Sequence, residues 1–323
     1  MSKRKLYCIL EQSGEIPSKE AFERKRIFST DYSDHFRINW RTPDDALSAG
    51  YYPGITWSEG RSVLYEIVRG KYEYVIFIDD DIQFTDNEKD VPGLIAEDLQ
   101  TYTPVSGTFY DRSSWAFKSI APSKAVSKPC FPVYAFDLQT FIMKDDFASM
   151  MMPVPFHGFD KSMWYVQYIC SELWPEKQLV FSRPEVRNTR HVQHIDDSQG
   201  THPLHGDFLF WRFSKLSAQD HKIPAKLDQN ELQKKNASAM EQPISNKSCT
   251  PSNDTLSSIL NLNHRDYTHR TPIIGYDYSL RNSLNFYRWK LTYGYFQTKY
   301  RLWRKQISSN KSIIQLNKLI GRQ

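Results

Sequence analysis

The chain has 323 residues, 40% hydrophobic and 14% aromatic, with 42 Lys and Arg against 37 Asp and Glu for a net charge of +5. That length buries a sizeable core and holds one large α/β domain with an appendage, or two domains. The charge suits an anionic substrate or a membrane surface and falls short of the basic bias of a dedicated nucleic-acid binder, so no nucleic-acid partner is expected.

Cys8, Cys130, Cys170 and Cys249 are scattered without C-x-x-C spacing, which reads as reduced structural thiols and argues against zinc or disulfides. The opening MSKRKLYCIL has too short an apolar run for a signal peptide. No stretch approaches the roughly 20 apolar residues of a transmembrane helix. A cytoplasmic location is expected.

In chain order, Leu6 to Leu10 reads as a first strand, followed by a polar turn with Gly14 and Pro17. Arg26 to Phe28 and Phe36 to Trp40 read as further short strand pieces, and Asp34 and Asp44 as turn residues. Gly60 and Arg61 head a helix whose Val63, Leu64, Ile67 and Val68 fall at helical spacing. An arginine at a helix start stands where backbone N–H groups already favour anions, and its guanidinium fork complements a diphosphate. The competing reading pairs Arg61 with Glu59 or Glu66.

The segment YVIFIDDDIQF, Tyr74 to Phe84, is the most informative. Val75 to Ile78 lack polar alternation, as in a strand buried on both faces of a largely parallel sheet. The run ends in Asp79, Asp80 and Asp81. Ligands of open α/β sheets collect beyond the carboxyl ends of the strands. Three adjacent carboxylates must be solvated, partly protonated or held by a cation, and their hard oxygens favour magnesium or manganese. The plainer reading is a solvated acidic turn.

Downstream, VPGLIAEDLQTY reads as a helix, PVSGTFY as a short strand, and Pro129 to Asp137 as the approach to another apolar strand. Met150 to Met152 reads as adaptable core packing. Asp160, in HGFDKSMW, stands where a helix N-cap would stand. His191 and His194 form an H-x-x-H without the partners of a zinc motif, and Asp196 and Asp197 follow as alternative ligands.

The Gly-Arg helix followed by a buried strand ending in Asp-x-Asp resembles the GT-A glycosyltransferases. FPVYAFDLQTFIMKDDF resembles their second core strand and turn, PFHGFDKSMW their Gly-aromatic-Asp segment, and EVRNTRHVQH their closing strand with a terminal histidine. Together these span roughly residues 1 to 210 and most resemble an uncharacterised branch of that superfamily. The resemblance implies a Rossmann-like α/β fold with a mixed sheet flanked by helices. It implies transfer of a sugar from a nucleotide-sugar donor to a glycan or glycolipid acceptor, with Mn2+ or Mg2+ as cofactor. Asp79, Asp81 and His194 would hold the metal. Glu11, Arg61, Asp79, Asp80 and Asp137 would line the nucleotide-sugar site, with Gln12 a further candidate for the base or ribose, and Asp160 would be the base that takes the acceptor proton. A haloacid dehalogenase-type phosphatase also carries Asp-x-Asp after a buried strand. Its motif continues with Thr or Val at the second position, whereas Ile82 and Gln83 follow here. A catalytically inactive module that holds nucleotide or glycan is the other alternative.

Residues 1–213 are therefore expected to form the catalytic domain, 214–258 a polar flexible linker, disordered or loosely helical, and 259–323 a helical C-terminal extension. The Asn236, Asn246 and Asn253 sequons lie in the linker and read as accidents of composition. In the extension, Tyr287, Trp289, Tyr293, Tyr295, Phe296, Tyr300 and Trp303 interleave with Arg288, Lys290, Lys299, Arg301, Arg304 and Lys305. Such a helix suits self-packing or peripheral contact with the inner membrane face.

Overall fold

The computed structural model describes residues 5–14, 19–40, 48–52, 57–85, 90–152, 163, 166–167, 170–171, 174–189 and 229–244. Strand β1 (Tyr7–Ser13) is followed by helix α1 (Lys19–Phe28), β2 (Ser33–Asn39), β3 (Ser48–Tyr51), α2 (Trp57–Val68) and β4 (Tyr74–Asp79). Then come β5 (Ile82–Phe84), α3 (Val91–Tyr102), β6 (Ser106–Phe109), α4 (Pro122–Val126), β7 (Cys130–Pro132), β8 (Thr140–Lys144) and α5 (Asp145–Met151). Strands β9 (Gln178–Phe181) and β10 (Val186–Asn188) precede the last described helix, α6 (Gln229–Ala239).

Eight strands form one sheet in the order β3-β2-β1-β4-β8-β6-β9-β7. The β3-β2-β1-β4 half is parallel throughout, the arrangement of a dinucleotide-fold half. Strand β8 runs antiparallel to both β4 and β6, so the sheet is mixed rather than largely parallel. With helices on both faces, the architecture is the expected α/β class, a mixed sheet flanked by helices.

Strand alternation divides the core. Cys8, Leu10, Val75, Phe77, Phe141 and Met143 face α2 and α5, while Tyr7, Ile9, Tyr74, Ile76, Ile78 and Ile142 face α3 and Phe28. A strand covered on both faces needs no polar positions, which is why the β4 run is continuous. At Gly107 a Cβ would stand 2.3 Å from the Leu179 carbonyl oxygen, so only glycine permits the β6–β9 approach.

Several readings of the sequence differ from the structure: α2 begins at Trp57, so Gly60 and Arg61 lie a turn inside it rather than at its head, and Asp34, read as a turn residue, lies in β2. Arg26 to Phe28 belong to α1, where buried Arg24 and Phe28 lie one helical turn apart; a three-residue window cannot register that period. The segment after Glu185 pairs with β5 in a separate two-stranded ribbon instead of closing the main sheet. Within the stretch expected as flexible linker, α6 is docked: Leu232, Asn236 and Met240 are buried. A loosely helical stretch was expected there, and low aromatic content hid its docking, because its anchorage is largely polar.

Candidate functional site

Parallel pairing aligns the carboxyl ends of β1, β2 and β4. Gln12 of β1 is in register with Asp79 of β4, so the Asp79–Asp81 turn emerges beside the end of β1, where ligands of open α/β sheets bind.

Each aspartate is held differently. Asp79 Oδ1 accepts from Arg61 Nη2 at 3.0 Å and from Trp57 Nε1 at 2.8 Å. Trp57 and Arg61 are four apart on α2, so they share a face, and the guanidinium carbon lies 3.7 Å from the Trp57 ring centroid. Arg61 Nη2 also donates to the Leu138 carbonyl at 2.7 Å. Burial pushes the Asp79 carboxyl up, and the Arg61 charge opposes that shift without cancelling it. Asp80 Oδ2 accepts from Ser13 Oγ at 2.7 Å and from the Gly14 backbone N–H at 3.2 Å, which ties the acidic turn to the end of β1.

Asp81 is anchored by its backbone, its carbonyl accepting from Thr189 N and Oγ1, both at 2.9 Å. Its buried Oδ1 has no hydrogen-bond partner among the described residues. Burial, followed by the charges of Asp79 and Asp80, pushes its carboxyl up to about 6. A hydrogen bond from the Asn188 side chain lowers it in part, and burial beside two like charges favours a proton or a cation there.

Glu11 is 1% exposed. It is paired with Arg24 at 3.0 Å, His35 at 2.8 Å and Arg37 at 3.4 Å. Burial raises the cost of its charge, yet these partners hold it down at about 2. The cluster reaches the acidic turn, because Arg37 Nη2 donates to Ser13 Oγ at 2.7 Å and Arg24 Nη2 to the Ile82 carbonyl at 2.7 Å. Glu11 thus stands behind the turn, within the protein. Gln12 packs on the opposite face, over Gly60, where a Cβ would lie 2.3 Å from its amide carbon.

Arg61, expected to meet phosphates, is 1% exposed and turned to Asp79; its Nε and Nη1 have no hydrogen-bond partner among the described residues. Asp137 is half-buried, accepts from Gln139 Nε2 at 3.2 Å and adds to the field on Arg61. Asp160, His191, His194, Asp196 and Asp197 lie outside the described residues, as does the 259–323 extension. Trp57, Ser13 and Thr189 join the site without having been singled out in the sequence, as does Gly14, read there only as a turn residue. The Trp57–Arg61 spacing carried a readable signal, whereas the Ser13–Asp80 contact depends on strand register.

Asp79 and Asp81, both with raised carboxyls, present hard oxygens that a cation could use. Among the described residues, no group of three His, Cys, Asp or Glu side chains is arranged to hold one. Cys8, Cys130 and Cys170 are buried free thiols, and no described helix is long and apolar enough to cross a membrane.

No protein-family model and no curated protein matches the chain. Among solved structures it is similar to S. aureus TarS 1–349 in complex with UDP-GlcNAc, at 10% identity and a TM-score of 0.44 over 68% of each chain. It is also similar to a glycosyltransferase involved in the glycosylation of the major capsid of PBCV-1, at 12% identity and a TM-score of 0.35 over 58% of this chain and 94% of that one. Likeness at that level extends to neither ligand nor activity.

Proposed function

We propose that the chain is a glycosyltransferase that takes a sugar from a nucleotide-sugar donor and passes it to a glycan or glycolipid acceptor with the help of a divalent cation. The observation that carries this reading is the Asp79–Asp81 turn at the carboxyl edge of β4 beside β1, with Asp81 Oδ1 buried and without a hydrogen-bond partner among the described residues. Asp79 and Asp81 would hold manganese or magnesium, with His194 supplying a further ligand. Bound there, the cation would offset the negative charge of a departing diphosphate. Arg61 and Trp57 orient Asp79, and Ser13 and Gly14 orient Asp80 at the donor site. Asp137 stands beside Arg61 as a candidate for the sugar side, and Asp160 is the proposed base for the acceptor hydroxyl.

The test is thermal stabilisation by a panel of nucleoside diphosphates and nucleotide sugars, with and without manganese, in the wild type and in Asp81→Ala. A ligand that binds the folded state raises its melting temperature by mass action. One nucleotide series should stabilise the wild type in a manganese-dependent way and leave Asp81→Ala unshifted. Absence of any shift across the panel refutes the donor site. Asp160→Asn should keep the shift and abolish turnover; retained turnover removes Asp160 as the base.

A further inference from the structure

Residues 133–139 join β7 to β8 without belonging to either strand, yet most of this segment is buried. Buried backbone outside a ladder needs other hydrogen-bond partners, and here side chains from several elements supply them. Gln178 Nε2 donates to the Val133 carbonyl at 3.3 Å and the Tyr134 carbonyl at 2.6 Å. Gln167 Nε2 donates to the Phe136 carbonyl at 3.0 Å. Arg61 Nη2 donates to the Leu138 carbonyl at 2.7 Å, and the Gln139 carbonyl accepts from Asp79 N at 3.0 Å. The far end of the segment thus touches the acidic turn twice, through Arg61 and through the Asp79 amide.

The near end is held by Asn236 of α6, which is 0% exposed. Its Oδ1 accepts from Tyr134 N and Ala135 N, both at 3.0 Å. Its Nδ2 donates to the Ala116 carbonyl at 2.9 Å and the Ala135 carbonyl at 2.6 Å. These bonds use both lone pairs and both hydrogens of the amide. Around it, Gln233 Nε2 donates to the Trp115 carbonyl at 2.9 Å, Ser119 Oγ to the Gln233 carbonyl at 2.8 Å, and Lys128 Nζ to the Met240 carbonyl at 2.7 Å. Lys124 pairs with Glu241.

We propose that Asn236 is a positioning residue for the candidate site: α6 clasps the 133–139 segment, and the segment sets the Asp79 carboxylate through Arg61 and Leu138. The packing claim stands on these contacts alone; its consequence for cation binding rests on the function proposed above. It also takes Asn236 out of the set of glycan acceptors in the folded protein, because the whole amide is engaged.

The experiment is hydrogen exchange on the full chain, wild type against Asn236→Ala, read at Tyr134, Ala135 and Asp79, with manganese affinity measured in parallel by water-proton relaxation. The Tyr134, Ala135 and Asp79 amides should exchange about tenfold faster, while α3 amides on the opposite face of the sheet keep the wild-type rate. Manganese should bind several-fold more weakly. Faster exchange at Tyr134 and Ala135 with Asp79 unchanged overturns the proposal, as does a uniform acceleration that includes α3. If Asn236→Ala does not fold, Gln233→Ala removes one bond at the rim, and the same order of amides should respond by about threefold. A wild type that binds no manganese refutes the cation reading, and the Asp79 amide still decides the clasp.

Discussion

Replacing Arg61 by methionine tests how the acidic turn is held. The change keeps much of the apolar stem packed under Trp57 and removes the charge, leaving Asp79 without its cation and the Leu138 carbonyl without its donor. Breaking a buried ion pair from one side costs about 3–5 kcal/mol. The Asp79 side chain is 25% exposed and keeps its Trp57 bond, so the low end, about 3 kcal/mol, applies. At about 2–4 °C per kcal/mol for a domain of this size, the melting temperature should fall by about 6–12 °C. Asp79→Asn removes the opposing charge while keeping an acceptor for Trp57. Thermal unfolding of both single variants and the double variant at pH 7 therefore gives the coupling directly. The double variant should be more stable than the sum of the single losses by about 1–3 kcal/mol. Losses that add to within about 0.5 kcal/mol would refute a stabilising pair and leave Arg61 free for a ligand.

Asp81 and Glu11 should give pH responses of opposite sign. The folded protein holds the Asp81 proton up to about 6 against an ordinary 3.8, so between those values it binds more protons than the unfolded chain, and stability falls as pH rises through that window. Asp81→Asn should therefore melt higher than wild type at pH 7.5, with the gap closing below pH about 4; an unchanged gap across the range refutes this. Glu11 is held down at about 2 against an ordinary 4.5, so its contribution is present above 4.5 and lost as pH falls towards 2. Glu11→Gln should melt lower at pH 7 and converge on wild type in acid, and a gap that persists at pH about 2 contradicts the ion-pair account. Gly107→Ala drives a Cβ into the Leu179 carbonyl and should destabilise by about 1–3 kcal/mol, whereas Gly60→Ala meets only the movable Gln12 amide and should cost less. Calorimetry that reverses that order would show the β6–β9 spacing to be compliant.

The β4 strand, its acidic terminus, the body of α2 and α3 were legible because their information is local, a continuous apolar run and a helical period, while the start of α2 at Trp57 was not. Where each aspartate is tied was not legible, since Ser13 meets Asp80 only after β1 and β4 pair in one register among several that their apolar runs allow. The burial of Glu11 was missed for a related reason. Its cations come from α1 and β2, and no spacing within one segment reveals that Arg24, His35 and Arg37 converge on it. The docking of α6 escaped notice because Asn236 and Gln233 look like linker residues until the backbone they satisfy is in view.

The antiparallel position of β8 between β4 and β6 has a consequence for synthesis of the chain. When residue 109 has left the ribosome, β4 has its β1 neighbour on one side, while its other edge awaits residues 140–144. Strand β6 then has neither of its neighbours, β8 and β9. During that interval the β4 edge is an open template for the wrong strand, including the same strand of another nascent copy. The arrival of β8 covers that β4 edge and joins β6 to the sheet, while the other edge of β6 and strand β7 wait for β9.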